Sequence, residues 1–307
     1  MGIEVYQANP SLKPQTLKQL FQTIAMNMKT LVFVIGCIFL STLCCNSKLD
    51  KGNATSQFFT DSIYSTHLSE YRKHIVYLPK GFNPSKQYPI MYATDGNSHL
   101  TQKKHLLDSL IEHQIIKPLI FVASFSNSKI ADSTSTTTGD GNKVYLTYRN
   151  FEYIDRHPSR EEDSLLVHRF KNHKAYFVEE YIPEIEIKYN QKPKKDNRYF
   201  YGVSNGAGFG MSLLNSHPNI IGTYLCFSTF GGDIQSNTWH SNIQYPNLYL
   251  RYGSEEPFFL KDDAEFIKAK YATLKAFAEI QEFEGGHDNS LWNEAFIDVV
   301  SRLFALE

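Results

Sequence analysis

The chain has 307 residues, of which 42% are hydrophobic and 14% aromatic, enough apolar material for one globular domain of about 200 to 250 residues with an extension. This composition excludes an intrinsically disordered chain. The formal net charge is −1, from 31 basic and 32 acidic residues, so no strong field would hold a polyanion, and we expect no nucleic-acid partner.

An apolar run of 15 residues, LVFVIGCIFLSTLCC, fills residues 31–45. It follows a lysine and precedes a polar stretch, the order typical of an export signal, and it is shorter than the roughly 20 residues of a membrane-spanning helix. Its terminal cysteines resemble the lipidated cysteine of bacterial lipoproteins, although the residues before them depart from the usual small ones. We therefore predict an exported periplasmic or cell-surface protein that is lipid-anchored to a bacterial membrane through Cys44 or Cys45, with an uncleaved anchor as the alternative.

This signal defines the predicted domain organisation. Residues 1–45 would form the N-terminal extension and the lipoprotein-type signal, residues 46–56 a polar tether, and residues 57–307 the globular domain.

In the first half of that domain, apolar runs of strand length alternate with helical patterns. We predict strands at 72–79, 88–96 and 117–126, with a helix at about 99–113 between the second and the third. The Ser/Thr/Gly-rich stretch at 126–143 is predicted to be a long loop. Residues 172–189 have helical spacing, and Pro183 should kink that helix.

The second half repeats the same alternation. Strands are predicted at 197–203, 220–228, 247–253 and 280–285, and helices at 205–216, 262–280 and 288–305. Alternation of this kind predicts an α/β fold, with a mostly parallel central sheet and helices on both faces. Functional groups of such folds lie at the carboxyl ends of the strands.

One strand-to-helix junction carries a catalytic motif. Residues 202–206 read Gly-Val-Ser-Asn-Gly, the G-x-S-x-G pattern in which a tight turn exposes the serine hydroxyl. Ser204 is therefore the candidate nucleophile. The backbone N–H of Asn205, at the start of the helix, would stabilise the oxyanion. The competing interpretation is a glycine-rich turn that contains a serine by chance.

A serine nucleophile needs a base and an acid later in the chain. His287 lies on a glycine-bearing loop between the last strand and the last helix, which favours it as the base. The acid should follow the strand at 247–253, where Glu255 and Glu256 stand together. We prefer Glu256 and keep Glu255 as the alternative, while Asp262 and Asp263 are expected to cap the next helix.

The second oxyanion donor of this architecture comes from the loop after an early strand. The sequence MYATDGNSH offers the backbone N–H of Gly96 or of Asn97, although a simple glycine turn fits equally well. No clustered Cys/His pattern or H-E-x-x-H motif is present, so we expect neither a metal nor another cofactor.

Seven segments together resemble the esterase family of α/β hydrolases that includes enterochelin esterases, feruloyl esterases and S-formylglutathione hydrolases. They are YLPKGF, MYATDG, RNFEY, FVEEYIPEIEIKY, GVSNGAGFG, LYLRYGSEE and GGHDNSLW, within about residues 68–305. The resemblance implies that residues 57–307 form an esterase domain with the α/β-hydrolase fold, with a nucleophile at Ser204, a base at His287 and an acid matching Glu256. It also implies that Arg149 and Tyr153 of RNFEY lie near the substrate mouth.

The predicted function is that of a serine carboxylic-ester hydrolase that acts through an acyl-enzyme. Its expected partner is an extracellular small-molecule or glycan ester, either an acylated glycan or a siderophore-type ester, and the sequence does not fix an oligomeric state. Two alternatives remain: an acyltransferase with the same triad, and an inactive surface glycan-binding lipoprotein.

Overall fold

A computed structural model describes residues 54–98, 100–137, 143–156 and 164–306. The predicted signal, with Cys44 and Cys45, and most of the predicted tether lie outside these residues. Ten strands are described: β1 Gln57–Ser65, β2 Glu70–Leu78, β3 Ile90–Ala93, β4 Ile120–Ser124, β5 Ile130–Thr137, β6 Lys143–Thr147, β7 Arg198–Val203, β8 Thr223–Phe227, β9 Asn247–Gly253 and β10 Ala278–Phe283.

Eight of these strands form one sheet in the order β1-β2-β4-β3-β7-β8-β9-β10. β1 pairs with β2, and β2 with β4, in antiparallel fashion, whereas every pair from β4 to β10 is parallel. The prediction of a mostly parallel sheet in an α/β-hydrolase fold is thereby confirmed. Because β7, β9 and β10 run parallel, their carboxyl ends lie at one edge of the sheet, which is where the predicted triad residues follow them.

The helices follow the strands along the chain. They are α1 Leu100–Glu112, α2 Tyr148–Tyr153, α3 Ser164–Val167, α4 Arg169–Ala175, α5 Ile182–Lys188, α6 Asn205–Ser216, α7 Phe258–Leu274 and α8 Asn289–Leu303. A π-helix, Tyr176–Tyr181, joins α4 to α5, and a 3₁₀ turn, Lys195–Asn197, precedes β7. The described part of the chain contains no helix that is long and apolar enough to span a membrane.

Two hydrophobic clusters hold these layers together, one built around the α6 and α7 side of the sheet and one around the α1 and α8 side. The first contains Tyr92, Phe177, Phe200 and Phe209, and the second contains Met91, Phe121 and Phe296. Because consecutive strand residues Met91 and Tyr92 belong to different clusters and are both fully buried, the sheet is covered on both faces.

The structure corrects three sequence expectations. The stretch predicted as a loop at 126–143 contains β5 and the start of β6, an antiparallel hairpin, because its repeated threonines are β-branched and favour strands. Strand β1 was not predicted, since an edge strand buries only part of its side chains and its pattern is weak. Helix α7 begins directly after Pro257 rather than at residue 262, so Asp262 and Asp263 lie within it and do not cap it.

Pro183 was predicted to kink its helix, but the structure has a π-helical turn there instead. Pro183 has no N–H, and the helix accommodates it with the π-turn just before it, where the N–H of Ile182 donates to the carbonyl of Phe177.

Candidate active site

The candidate nucleophile lies at a strained turn between β7 and α6. Ser204 has φ 54° and ψ −130°, a backbone conformation that a residue with a side chain rarely adopts. Three backbone hydrogen bonds maintain it: the N–H of Ser204 donates to Phe227 O at 3.0 Å, and its carbonyl accepts from the N–H groups of Gly208 at 3.1 Å and Phe230 at 3.2 Å. The turn is therefore fixed by the neighbouring strand and the loop after it.

The two glycines of the motif are sterically required. A Cβ on Gly202 would lie 2.6 Å from the carbonyl oxygen of Gly206, and a Cβ on Gly206 would lie 2.2 Å from Oγ1 of Thr94. Both distances are shorter than real Cβ contacts allow. The spacing Gly-x-Ser-x-Gly is thus explained by the close approach of the turn to itself and to the end of β3.

The candidate base and acid meet at the carboxyl ends of β9 and β10. Nδ1 of His287 lies 2.6 Å from Oε1 of Glu256, and the N–H of Gly253 donates to Oε2 of the same carboxylate at 2.7 Å. The Glu256 side chain is 1% exposed, whereas that of His287 is 38% exposed. This geometry leaves the other imidazole nitrogen of His287 free of the carboxylate.

Further groups hold the Glu256 carboxylate in place. The hydroxyl of the buried Ser228 accepts a hydrogen bond from Nε1 of Trp292 at 2.7 Å, and this hydroxyl helps to lower the pKa of Glu256. Burial raises the pKa of Glu256, but the hydrogen bonds from His287, Gly253 and Ser228 together outweigh it, so this pKa is lowered. The carboxylate is therefore ionised at neutral pH.

Aromatic rings surround the imidazole of His287. The Trp292 ring meets it edge-on with centroids 4.6 Å apart, and the Phe230 ring does so at 5.2 Å. Phe230 also donates its backbone N–H to the carbonyl of Ser204, so one residue contacts both the nucleophile and the base. Among the described residues, no hydrogen bond within 3.5 Å joins the Ser204 hydroxyl to His287, a contact that often tightens only when substrate binds.

An ion pair lies beside the nucleophile. Arg149 contacts Asp95 through two parallel hydrogen bonds, Nε to Oδ1 at 2.6 Å and Nη2 to Oδ2 at 2.9 Å. Its Nη1 donates to Oδ1 of Asn205 at 3.0 Å. Burial lowers the pKa of Arg149, but the hydrogen bond and the charge of Asp95 outweigh it, so the pKa is raised. Arg149 thus links the loop after β3 to the first residue of α6.

The two residues proposed for the second oxyanion donor differ in their geometry. The N–H of Gly96 already donates to Ser124 O at 2.8 Å, so the expectation that it could bind an oxyanion does not fit the structure. The side chain of Asn97 is held by Ser126, whose N–H donates to Oδ1 of Asn97 at 3.1 Å. No acceptor for the N–H of Asn97 is found in the described parts of the chain.

Two further candidates, Tyr153 and Glu255, lie in other surroundings than those expected of a substrate contact and of the triad acid. Tyr153 was expected near the substrate mouth, but it is fully buried, and its hydroxyl accepts the N–H of Asp95 at 3.2 Å. The aromatic residues of its segment RNFEY, Phe151 and Tyr153, pack into the core because burial removes their large apolar rings from water. The carboxylate of Glu255 is exposed and does not contact His287, whereas Glu256 does.

Several supporting residues could not be recognised from the sequence. Ser228 and Phe230 follow β8 in a stretch without a motif, and only their three-dimensional position next to Glu256 and Ser204 identifies them. Asp95 lies within the segment MYATDG, in which no sequence pattern distinguishes it from an ordinary turn residue. Its left-handed φ of 56° was a signal that only a structure can supply.

We found no cluster of three or more His, Cys, Asp or Glu side chains able to hold a metal ion within the described ranges. What the arrangement can do chemically depends on a strained serine, a histidine oriented by a buried carboxylate, and backbone N–H groups at the start of a helix. This set of groups suits nucleophilic attack on a carbonyl.

Comparisons with known proteins agree with that chemistry. The family model described as "Putative esterase" matches residues 65–303. No curated protein sequence matches the chain.

Solved structures share the fold at low sequence identity. A ferulic acid esterase from Anaeromyces mucronatus in complex with ferulic acid has a TM-score of 0.61 and 17% identity, with 84% of this chain and 95% of that chain covered. An IroE-like serine hydrolase from Shewanella oneidensis has a TM-score of 0.58 and 17% identity, with 82% of each chain covered. The enterobactin esterase of Shigella flexneri has a TM-score of 0.59 and 15% identity, with 83% of this chain and 61% of that chain covered.

The match to the family model extends from the last residue of β1 to the last residue of α8 and includes every residue of the candidate site. The chain therefore belongs to this esterase family of α/β hydrolases, whose members are carboxylic ester hydrolases.

Proposed function

We propose that this protein hydrolyses carboxylic esters through a Ser204–His287–Glu256 triad. The observation that carries the proposal is the hydrogen bond between Nδ1 of His287 and the buried carboxylate of Glu256, at the same sheet edge as the strained Ser204. A carboxylate on Nδ1 fixes the tautomer in which Nε2 can accept a proton.

The reaction has two steps. Ser204 Oγ attacks the ester carbonyl while His287 takes its proton, and the tetrahedral intermediate collapses when His287 returns that proton to the leaving alcohol. A water molecule activated by His287 then attacks the acyl-enzyme and releases the acid. Glu256 stabilises the imidazolium in both steps without itself becoming protonated.

The oxyanion of each intermediate would be bound by backbone N–H groups. The N–H of Asn205 lies in the first turn of α6, where N–H groups have no partner within the helix. The N–H of Asn97 is the second donor in this proposal. Arg149 acts as a positioning residue, because it joins Asp95, two residues before Asn97, to the side chain of Asn205.

Replacement of the nucleophile tests the proposal. Ser204→Ala should reduce kcat for p-nitrophenyl acetate by at least about 10,000-fold. The matched control is Ser216→Ala, an exposed serine on the same helix, which should keep wild-type turnover. Unchanged turnover in purified Ser204→Ala would refute the triad.

The alternative of an acyltransferase uses the same acyl-enzyme and differs only in the acceptor. Product analysis with and without an added sugar or lipid alcohol distinguishes the two, because a hydrolase releases mainly the free acid in both cases. An inactive glycan-binding protein would show neither product.

For the substrate, we propose an extracellular ester with a bulky apolar or aromatic part, as in an acylated glycan or a siderophore-type ester. A row of aromatic rings leads outward from His287: Phe230 meets Phe259 with centroids 5.3 Å apart, and Phe258 beyond it is 78% exposed. Exposed aromatic surface next to a catalytic group is a typical substrate contact.

A substrate panel tests this assignment. Methyl ferulate, acetylated xylan and an enterobactin-type ester should be compared with p-nitrophenyl acetate. Phe258→Ala should raise KM for the preferred bulky ester about tenfold, as expected for lost aromatic burial, and change acetate hydrolysis much less. Ile187→Ala, which removes a side chain of similar exposure (74%) on α5, is the control.

We also propose that the protein is exported and lipid-anchored through Cys44 or Cys45. Cell fractionation tests this directly: the wild type should be found in the membrane fraction, and a variant with both cysteines replaced by serine should not. Equal membrane association of the two proteins would contradict lipidation at these positions.

A further inference from the structure

A buried lysine lies in a small pocket that borders the nucleophile turn. The pocket has a volume of about 50 Å³, and its walls include Gly202 and Val203, the two residues before Ser204, together with Lys103 of α1 and Trp292 of α8. Lys103 is only 5% exposed. A pocket of this volume holds a few non-hydrogen atoms, such as about three water molecules or one carboxylate group.

The Lys103 ammonium has few partners for a buried charge. Nζ donates to Oδ1 of Asn293 at 2.6 Å and lies 4.1 Å from the ring centroid of Phe296 and 4.7 Å from that of Tyr201. Throughout the described ranges, no carboxylate lies within 4.0 Å of it. An ammonium has three N–H donors, so one amide acceptor leaves two of them facing aromatic rings and the pocket.

The other ionisable groups of the pocket do not neutralise Lys103. Asp95 lines the same pocket, but both of its oxygens accept hydrogen bonds from Arg149, at 2.6 Å and 2.9 Å, so this pair has no net charge. Burial raises the pKa of Tyr201, which therefore stays neutral. Burial also lowers the pKa of Lys103 to about 7, as expected for a cation without a counter-ion.

The side chains at the pocket are already ordered for a ligand. Asn293 donates from Nδ2 to Oε1 of Gln102 at 2.9 Å, which turns its Oδ1 toward Lys103. Ser98 and Asn289 add further hydrogen-bonding groups to the walls. A negatively charged group that entered would gain charge-assisted hydrogen bonds without any rearrangement of these residues.

We propose that this pocket is a subsite for a carboxylate-sized anion, carried by the ester substrate next to the carbonyl that Ser204 attacks. The proposal rests on the proposed esterase function and extends it, because it adds an anionic group to the substrate class. The recognition is electrostatic, and it is distinct from the aromatic row beside His287.

Matched pairs of esters test the subsite in the complete protein. Mono-p-nitrophenyl succinate, glutarate and adipate should be compared with the p-nitrophenyl esters of butyrate, valerate and hexanoate. The quantity measured is the ratio of kcat/KM for the acidic ester to that for the neutral ester, in which the contribution of the triad cancels. At least one acidic ester should be preferred by about tenfold or more, the effect of one charge-assisted pair.

Two pocket variants test the role of the Lys103 charge in different ways. Lys103→Met removes the charge at similar volume, and Asn293→Asp places a carboxylate where Lys103 now meets an amide, so both should bring the ratio to about one. Lys104→Met is the control, because Lys104 pairs with Asp108 on the outside of the same helix, and its ratio should equal that of the wild type. If both pocket variants prefer the acidic ester as strongly as the wild type does, the proposal is wrong.

The pH dependence provides a second readout. The carboxylate of each ester stays ionised between about pH 6 and pH 8.5, whereas Lys103 loses its proton within that range, so the preference for the acidic ester should fall as pH rises. A ratio that does not change with pH would contradict an ammonium as the recognition group.

A binding measurement separates this proposal from the esterase proposal. In Ser204→Ala, free glutarate should raise Tm, and it should do so much less in Ser204→Ala with Lys103→Met. If no ester is turned over by the wild type but glutarate binds in this Lys103-dependent way, the esterase proposal fails and the anion site stands. If esters are hydrolysed with no acidic preference and glutarate gives no shift, the anion subsite is refuted.

Discussion

Two glutamates with buried carboxyl groups, Glu256 of the proposed triad and Glu152 between two arginines, differ in how their oxygens are bonded. Glu256 has hydrogen-bond donors on both oxygens, from His287 and from the N–H of Gly253. Glu152 is 0% exposed, and Arg72 and Arg169 both bond to its Oε1, whereas no partner of Oε2 is found in the described parts of the chain.

The pKa values of the two carboxyl groups move in opposite directions. That of Glu256 is lowered, because its hydrogen bonds outweigh burial. That of Glu152 is raised, because burial outweighs two neighbouring arginines. Glu152 is buried as a whole residue, whereas Glu256 is half-buried and only its side chain is enclosed. The comparison teaches that the depth of burial and the hydrogen-bond donors together decide the ionisation of a carboxyl group.

Removal of the charge at Glu256 should give the largest effect on catalysis. Glu256→Gln is expected to lower kcat about 1,000-fold to 10,000-fold, since the amide no longer fixes the useful tautomer of His287. Steady-state hydrolysis of p-nitrophenyl acetate measures this. The same replacement at the exposed Glu255 should leave kcat unchanged, and a large loss there would reassign the triad acid.

The equivalent replacement at Glu152 should affect stability instead. Glu152→Gln leaves two buried arginines with one fewer acidic partner, and we expect the free energy of unfolding to fall by about 3 kcal/mol. Urea denaturation of both proteins measures the difference, while kcat of the folded variant should remain near that of the wild type. A loss of activity without a loss of stability would place Glu152 in the catalytic machinery.

Asp95 resembles Glu256 in that both of its oxygens are bonded, here to Arg149. Arg149→Lys keeps the charge but cannot make the paired hydrogen bonds or reach Asn205 as well, so kcat should fall about tenfold to 100-fold with KM little changed. Kinetics for a short and a bulky ester check this. An effect confined to KM would identify Arg149 as a substrate contact instead of a positioning residue.

The smallest predicted effect concerns pH. The folded-state pKa of Glu256 is lowered, so its contribution to stability is complete above the unfolded-state value of about 4.3 and is lost as pH falls through the folded-state value. The Tm values of wild type and Glu256→Gln should therefore begin to converge as the pH falls below about 4.3 and should meet only below the folded-state pKa. A difference in Tm that grows on acidification would show the opposite sign of the pKa shift.

Much of the fold could be predicted from the sequence, because apolar runs with glycine turns are local signals. The parallel strands around Ser204 were found in this way, and G-x-S-x-G identified the turn that the steric contacts of Gly202 and Gly206 explain. The hairpin of β5 and β6 was missed, since a threonine-rich segment satisfies both a loop pattern and a strand pattern until its pairing partner is known.

The geometry around the candidate site was harder to predict from the sequence than the fold. Three of its features depend on contacts between distant segments: the burial of Tyr153, the hydrogen bond from the N–H of Gly96 to Ser124, and the support of Glu256 by Ser228. The buried Lys103 is a similar case, because a lysine on a predicted polar helix is expected to face solvent.

The most direct test of the triad is the site and rate of covalent labelling by a fluorophosphonate probe, followed by intact mass and peptide mapping. The account predicts a single adduct on Ser204, absent from Ser204→Ala and formed about 1,000-fold more slowly in His287→Ala. An adduct on another residue, or a labelling rate that does not depend on His287, would contradict it.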